Sequence, residues 1–344
     1  MQKVNLYNPH KPYGLISLLL ANLKENIIKV ISIKKVLPLF PKEIGDYLFI
    51  GEIEKEGLRK SYQIGLYQNK KGKKAVAKMI SKHNKGYHYY SLLNEINTYH
   101  ILYDARRRVS KKIPSGISRI IIPKPLAFLE TDDYLIQLIE HFDGVSAEEM
   151  NEKEKVQIYF SVLTFLDFLG KRLNQKEKSY ISKRTGLQYV MLYPLLVGKA
   201  ILTYPKTTLS IIKGIPYFLK SIPMILLLPA TTLSHRDLHF LNILVSKRKI
   251  AVIDLQQCVF TNSYIEKAVT LREVWKEGTY YKKILSTVIK NYSNNRNSLN
   301  LFRAFSINAA THALTGSGFP EKTVYNWSDF LTYCSESDFS KEIL

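Results

Sequence analysis

The chain has 344 residues, 46% of them hydrophobic and 23% charged, which excludes a disordered or collagen-like protein and suits two packed lobes better than one small core. Fifty Lys and Arg against twenty-nine Asp and Glu leave a net charge of +21, so the expected partners are polyanionic: nucleic acid, anionic lipid or a phosphorylated glycolipid. Two cysteines, Cys258 and Cys334, cannot build a disulfide framework and are expected as free thiols; with no secretory pattern near the N-terminus, the expectation is cytoplasmic.

In chain order, Ile16, Leu19, Leu20, Leu23, Ile27 and Ile31 recur at helical spacing, while Lys24, Lys29, Lys34 and Lys35 lie elsewhere. This predicts a basic amphipathic helix within an N-terminal extension, residues 1–44, ended by Pro38 and Pro41 and either packed on the body or lying on a membrane. Three strand-like runs follow, Tyr47–Glu54, Ser61–Gln68 and Lys74–Ile80, then a helix over about Tyr89–Arg108 and two more strands, Arg119–Leu129 and Tyr134–Glu140. Residues 45–141 therefore read as a small antiparallel-sheet lobe. After a break at Phe142-Asp143-Gly144, a helix over Asn151–Arg172 opens a mainly helical large lobe, residues 142–344, so the fold class is α+β and bilobal.

Within the large lobe, Leu187–Pro229 is strongly apolar but interrupted by Lys199, Lys206, Lys213 and Lys220. No uninterrupted run reaches the roughly eighteen residues of a membrane-spanning helix. The segment is expected either as buried helices or as amphipathic helices whose lysines reach anionic headgroups. Shorter basic clusters, such as Lys70-Lys71-Gly72-Lys73-Lys74 and Arg106-Arg107-Arg108, read as solvated faces.

The segment with the most chemistry in it is His235-Arg236-Asp237-Leu238-His239-Phe240-Leu241-Asn242, followed twelve residues past Asn242 by Asp254 in Val252-Ile253-Asp254. It fits the H-R-D-L-x-x-x-N loop of phosphoryl-transfer enzymes and their downstream metal-binding Asp. The spacing has a physical reason: a short loop aims Asp237 at an incoming hydroxyl while Asn242 turns toward Mg²⁺. Two short strands then return the chain so that Asp254 meets the same ion. Such a site also needs a cation on the nucleotide phosphates, fixed by a carboxylate. Lys78, inside the apolar strand Ala75-Val76-Ala77-Lys78, and Glu95, seventeen residues on in a helical run, supply that pair.

The loop Gly51–Gly57 lacks G-x-G-x-x-G, so Lys55, Arg59 or Lys60 are weighed as phosphate contacts. Glu140 and His141, after the last small-lobe strand, are placed to offer backbone groups to adenine. Asp254-Leu255-Gln256 stands where protein kinases carry Asp-Phe-Gly, and no Ala-Pro-Glu follows, which argues against a regulated protein kinase.

These segments resemble the protein-kinase-like superfamily and, within it, the lipopolysaccharide kinase family that phosphorylates Kdo or heptose. Asn94-Glu95-Ile96-Asn97-Thr98-Tyr99-His100-Ile101-Leu102 is similar to that family's small-lobe helix, and Val252-Ile253-Asp254-Leu255 to its metal motif. The resemblance covers roughly residues 45–280 in layout. It implies Asp237 as catalytic base, Asn242 and Asp254 as metal ligands, and ATP with Mg²⁺ as cofactors. The implied acceptor is a sugar hydroxyl of a glycolipid, at the inner face of an anionic membrane. Gln256-Gln257 departs from the family's basic continuation, and Asp237-Leu238-His239 with Asn242-Ile243-Leu244 is also similar to aminoglycoside and choline kinases. A soluble small-molecule or protein kinase, and a phosphate-binding pseudokinase scaffold, are the alternatives carried forward; nucleic acid is the least expected partner.

Overall fold

The computed structural model describes residues 39–53, 62–82, 86–275, 280–293, 295–316 and 321–337. The amphipathic helix expected before Pro38 and the basic residues Lys55, Arg59 and Lys60 lie outside them. The chain divides into two compact units. The first runs to Glu149 and adds Tyr159–Ser182 and Phe240–Val259; the second comprises Met150–Ile158, Lys183–His239 and the chain from Phe260 onward.

The first unit is built on a six-stranded sheet in the order β1-β2-β3-β4-β7-β6. The strands are β1 (Glu43–Ile44), β2 (Tyr47–Glu52), β3 (Gln63–Asn69), β4 (Lys74–Ser81), β6 (Pro125–Glu130) and β7 (Tyr134–Glu140). Alternation along β4 decides what each face does. Ala75, Ala77 and Met79 enter a core with Phe40, Tyr67, Ile136 and Leu138. Lys78 and Ile80 belong to the other face, where Ile80 packs with Leu92, Leu93 and Ile96 of helix α1 (Tyr87–Arg108). The β3–β4 connection is a solvated turn: Asn69 Oδ1 accepts from the amides of Lys71 and Lys73, and Gly72 takes φ +76°.

The run expected as one strand over Arg119–Leu129 is two. Pro123 and Pro125 break it, and its first piece, β5 (Ile120–Ile121), joins a second sheet, β5-β11-β10-β8. That sheet contains the hairpin β10 (Ile243–Val245) and β11 (Ile250–Val252), with β8 (Val145–Ser146) on its edge. Helix α2 (Glu152–Gly170) stands where a long helix was predicted, followed by the short α3 (Gln175–Ser179) with an Asn174–Glu177 capping box.

The second unit is helical: α4 (Gly186–Thr203), α5 (Thr208–Leu227), α6 (Ser263–Glu273), α7 (Tyr280–Ser293), α8 (Arg296–Ala313) and α9 (Glu321–Glu336). Strand β12 (Val259–Thr261) pairs with β9 (Thr232–Ser234) where a loop was expected over Phe260–Ser263. Its core gathers Tyr189, Tyr193, Phe218 and Ile225 of α4 and α5 around Phe302 and Phe305 of α8. Close approach fixes α5 against α4 and α8: a Cβ on Gly186 of α4 would lie 1.9 Å from the Ile225 carbonyl oxygen of α5, and one on Gly214 of α5 would lie 2.9 Å from Ile307 of α8.

The expectation that no stretch here is long enough to cross a membrane needs correcting. Gly186–Thr203, with 18 residues, and Pro205–Leu227, with 23, are long and apolar enough by length and composition. Uninterrupted runs are the wrong measure, because a helix tolerates an isolated lysine. Cys258 and Cys334 are buried and are not joined in a disulfide.

Candidate active site

The first unit assembles four of the predicted residues. Lys78, on β4, projects its ammonium between two carboxylates, 2.9 Å from Glu95 Oε2 and 2.7 Å from Asp254 Oδ1, and donates to Gln256 Oε1 at 3.4 Å. The Tyr62 ring flanks it, 4.6 Å away. Glu95 lies on the buried stripe of α1 between Leu92 and Ile96, and its side chain is 3% exposed. Burial and the Asp254 charge raise the Glu95 carboxyl, with Lys78 opposing them. Burial alone would depress Lys78, but Asp254 and Glu95 overcome it and hold the ammonium well above the usual lysine range.

The β10–β11 hairpin delivers the metal-ligand candidates. Its closing bond runs from the Ile253 amide to the Asn242 carbonyl at 3.0 Å, which sets Asn242 opposite the residue preceding Asp254. Asp254 itself is left-handed, φ 59° and ψ 56°, a conformation that costs energy for any residue but glycine and is tolerated best by Asn and Asp. Tyr99 of α1 secures it: the Asp254 amide donates to the Tyr99 hydroxyl at 3.1 Å. Asn94 ties the same loop to α1, donating to the carbonyls of Gln256 and Cys258.

Glu140 ends β7 and His141 follows it, with their amides already committed, Glu140 to the Lys124 carbonyl at 2.8 Å and His141 to that of Lys74 at 3.1 Å. Neither N–H is therefore open to adenine, so from this pair only carbonyls could meet a base edge.

In the second unit Asp237 follows Arg236, which is also left-handed at φ 60°. Asp237 Oδ1 bonds His239 Nε2 at 2.9 Å, and His239 Nδ1 bonds Glu273 Oε2 of α6 at 2.6 Å. Arg272 donates to Glu273 Oε1 from both Nε and Nη2 and to the Ala309 carbonyl from Nη1. Partial burial would raise Asp237, but the His239 hydrogen bond and the charges of His239, His235 and Arg272 hold its carboxyl well below the usual range. Burial would lower His239; Glu273 and Asp237 outweigh it and push the imidazole well above its ordinary value. With both ring nitrogens facing carboxylates, His239 is an imidazolium that donates in both directions.

Sequence reasoning missed Asn94, Tyr99, His239 and Glu273 as site residues. Asn94, Tyr99 and His239 were legible, because they lie inside the quoted motifs. Glu273 carried no local signal, since only α6 brings it to a loop thirty-four positions away.

No protein-family model matches the chain, and no curated protein matches it in sequence. Solved structures do match. A thermostable mutant of aminoglycoside phosphotransferase APH(4)-Ia in its apo form superposes with a TM-score of 0.53 at 12% identity, covering 91% of this chain and 97% of that one. The same phosphotransferase in ternary complex with ADP and hygromycin B gives 0.53 at 11% identity, over 93% and 98%. Choline kinase LicA from Streptococcus pneumoniae gives 0.50 at 11% identity, over 92% and 98%. At these identities the likeness is one of fold. The chain has the protein-kinase-like fold, with an antiparallel-sheet lobe and a helical lobe.

Proposed function

We propose that the protein is an ATP-dependent kinase that transfers the γ-phosphoryl group of ATP to a hydroxyl, with a sugar of a membrane glycolipid as acceptor. The observation that carries this reading is the convergence of Lys78, Glu95 and Asp254 from a strand, a helix and a loop, with Asn242 fixed beside the same loop.

The candidate metal site fits Mg²⁺. Its donors, the Asp254 carboxylate and the Asn242 amide oxygen, are hard oxygens, and among the described residues no group of three or more His, Cys, Asp or Glu forms a dedicated cage. Mg²⁺ needs none, because it takes one or two side chains and completes its shell with water and substrate phosphates. When bound, it neutralises charge on the β- and γ-phosphates. Lys78 would give its ammonium to the same phosphates, while Glu95 holds the lysine in place. Asp237, kept ionised by His239, would accept a hydrogen bond from the acceptor hydroxyl and orient it. A carboxylate with so low a pKa takes the proton only late, as a loose phosphoryl-transfer transition state allows.

The glycolipid acceptor is supported by the resemblance of Asn94–Leu102 and Val252–Leu255 to lipopolysaccharide kinases and by the net charge of +21. On this reading the protein works at the inner face of an anionic membrane. A soluble small-molecule acceptor is the second reading, favoured by the fold shared with the aminoglycoside phosphotransferase and choline kinase. The test is phosphate transfer from γ-labelled ATP to lipopolysaccharide precursors, aminoglycosides and choline in parallel. Label in the lipid arm supports the first reading, and label only in a small-molecule arm supports the second. Absence of Mg²⁺-dependent ATP binding would overturn both in favour of a scaffold.

A further inference from the structure

The α4–α5 hairpin, made of the two consecutive helices, carries apolar side chains on its outer face as well as its inner one. The inner face is core. On the outer face of α5, Leu209, Ile212, Pro216, Leu219, Pro223 and Leu226 recur at spacings of three and four and are all exposed. Leu187, Met191, Leu195 and Leu202 are likewise exposed on α4, and Leu202 and Leu227 are 83% and 84% exposed. So many large apolar side chains left exposed on one pair of helices mark an interaction surface.

Charge selects the partner. No Asp or Glu occurs between Glu177 and Asp237, whereas Lys199, Lys206, Lys213 and Lys220 stand seven residues apart, all exposed. Lys213 also pairs with the exposed Glu336 at 2.8 Å. Against a second copy of this chain the hairpin would set lysine against lysine, with no carboxylate of its own in reply. An anionic surface answers both the leucines and the lysines.

We propose that the outer face of the α4–α5 hairpin docks into the interface of an anionic lipid bilayer, lying on it and not crossing it. Crossing would strip Tyr193, Phe218 and Ile225 from the core they share with α8. The proposal extends the membrane-acceptor reading and rests on it for its purpose, but its test uses no phosphoryl transfer.

The experiment is flotation of the full chain with phosphatidylglycerol-containing vesicles and with pure phosphatidylcholine vesicles. The unaltered protein floats with the anionic vesicles, more so at low salt. The triple variant Leu209→Gln, Leu219→Gln, Leu226→Gln lowers the bound fraction about tenfold or more. The double variant Lys206→Gln, Lys220→Gln loses the anionic preference. Unchanged melting and MgATP binding show that each variant is folded; should the triple variant not fold, Leu202→Gln with Leu227→Gln replaces it. The proposal is overturned if the unaltered protein stays unbound, if the leucine variants float as it does, or if they instead abolish self-association in vesicle-free solution. Flotation retained in a protein that transfers no phosphate would strike the kinase reading alone.

Discussion

The two charged centres are built in opposite senses. Lys78 is a cation between the carboxylates of Glu95 and Asp254, and Asp237 is a carboxylate held by the imidazolium of His239 with Arg272 nearby. Burial opposes the charge on Lys78, whose side chain is 16% exposed, and only in part that on Asp237, whose side chain is 38% exposed. In each case specific neighbours reverse the effect and keep the group charged. Each centre also stores backbone strain, in Asp254 at φ 59° and in Arg236 at φ 60°. Opposite charges gathered on one group and a strained residue beside it are two marks of a functional site, and both centres carry them.

Asp237 and Asp254 can be separated by what their loss removes. Asp237→Ala takes away a group that acts on the acceptor in the transition state, so phosphate transfer should fall ~10²-fold or more with nucleotide affinity nearly unchanged. Lost MgATP binding in a folded Asp237→Ala protein would instead make Asp237 a ligand of the nucleotide or metal. Asp254→Asn is the converse test. Asparagine tolerates the left-handed backbone at this position, so the change removes charge and leaves the loop intact. Thermal stabilisation by MgATP, read against each variant's own nucleotide-free melting temperature, should be lost in this variant and in Asn242→Ala; full stabilisation in both would end the metal assignment.

His239 makes the second centre pH-sensitive. Its folded pKa is raised well above 6.5, so its stabilising contribution is complete below pH 6.5 and is lost as pH climbs through the folded value. Asp237 and Glu273 are lowered from 3.8 and 4.5, so theirs is complete above pH 4.5 and is lost on acidification. The melting difference between the unaltered protein and His239→Gln should therefore be widest at about pH 4.5–6.5 and narrow on both sides. A difference that is flat with pH would mean that His239 is neutral and only packs.

Much of this was legible in the sequence wherever chemistry and chain order coincide. The strand order, the buried Lys78 in an alternating strand, Glu95 on a helix and the 235–254 spacing all follow from local pattern. What escaped depended on contacts distant along the chain. The prolines split the Arg119–Leu129 run because β11 offers Ile120–Ile121 a parallel partner, which no local pattern announces. The amides of Glu140 and His141 are used because Lys124 and Lys74 lie across from them. The outward leucines of α5 look like core in sequence, since period alone does not say which side is covered.

The smallest effect expected is at Tyr99, and it tests whether the strained Asp254 backbone is held from α1. Tyr99 is fully buried, and burial, followed by the charges of Glu95 and Asp254, raises its phenol well above the usual value, so the hydroxyl stays protonated. Its oxygen accepts the Asp254 amide at 3.1 Å. Tyr99→Phe keeps the ring in its packing but leaves that amide without its acceptor, at a cost of about 1–3 kcal/mol. If the bond steadies the left-handed turn, the variant should melt lower and should also bind MgATP more weakly, because Asp254 then samples other conformations. A lower melting temperature with unchanged MgATP affinity would show that the turn is held from its own loop, with Tyr99 acting only on stability.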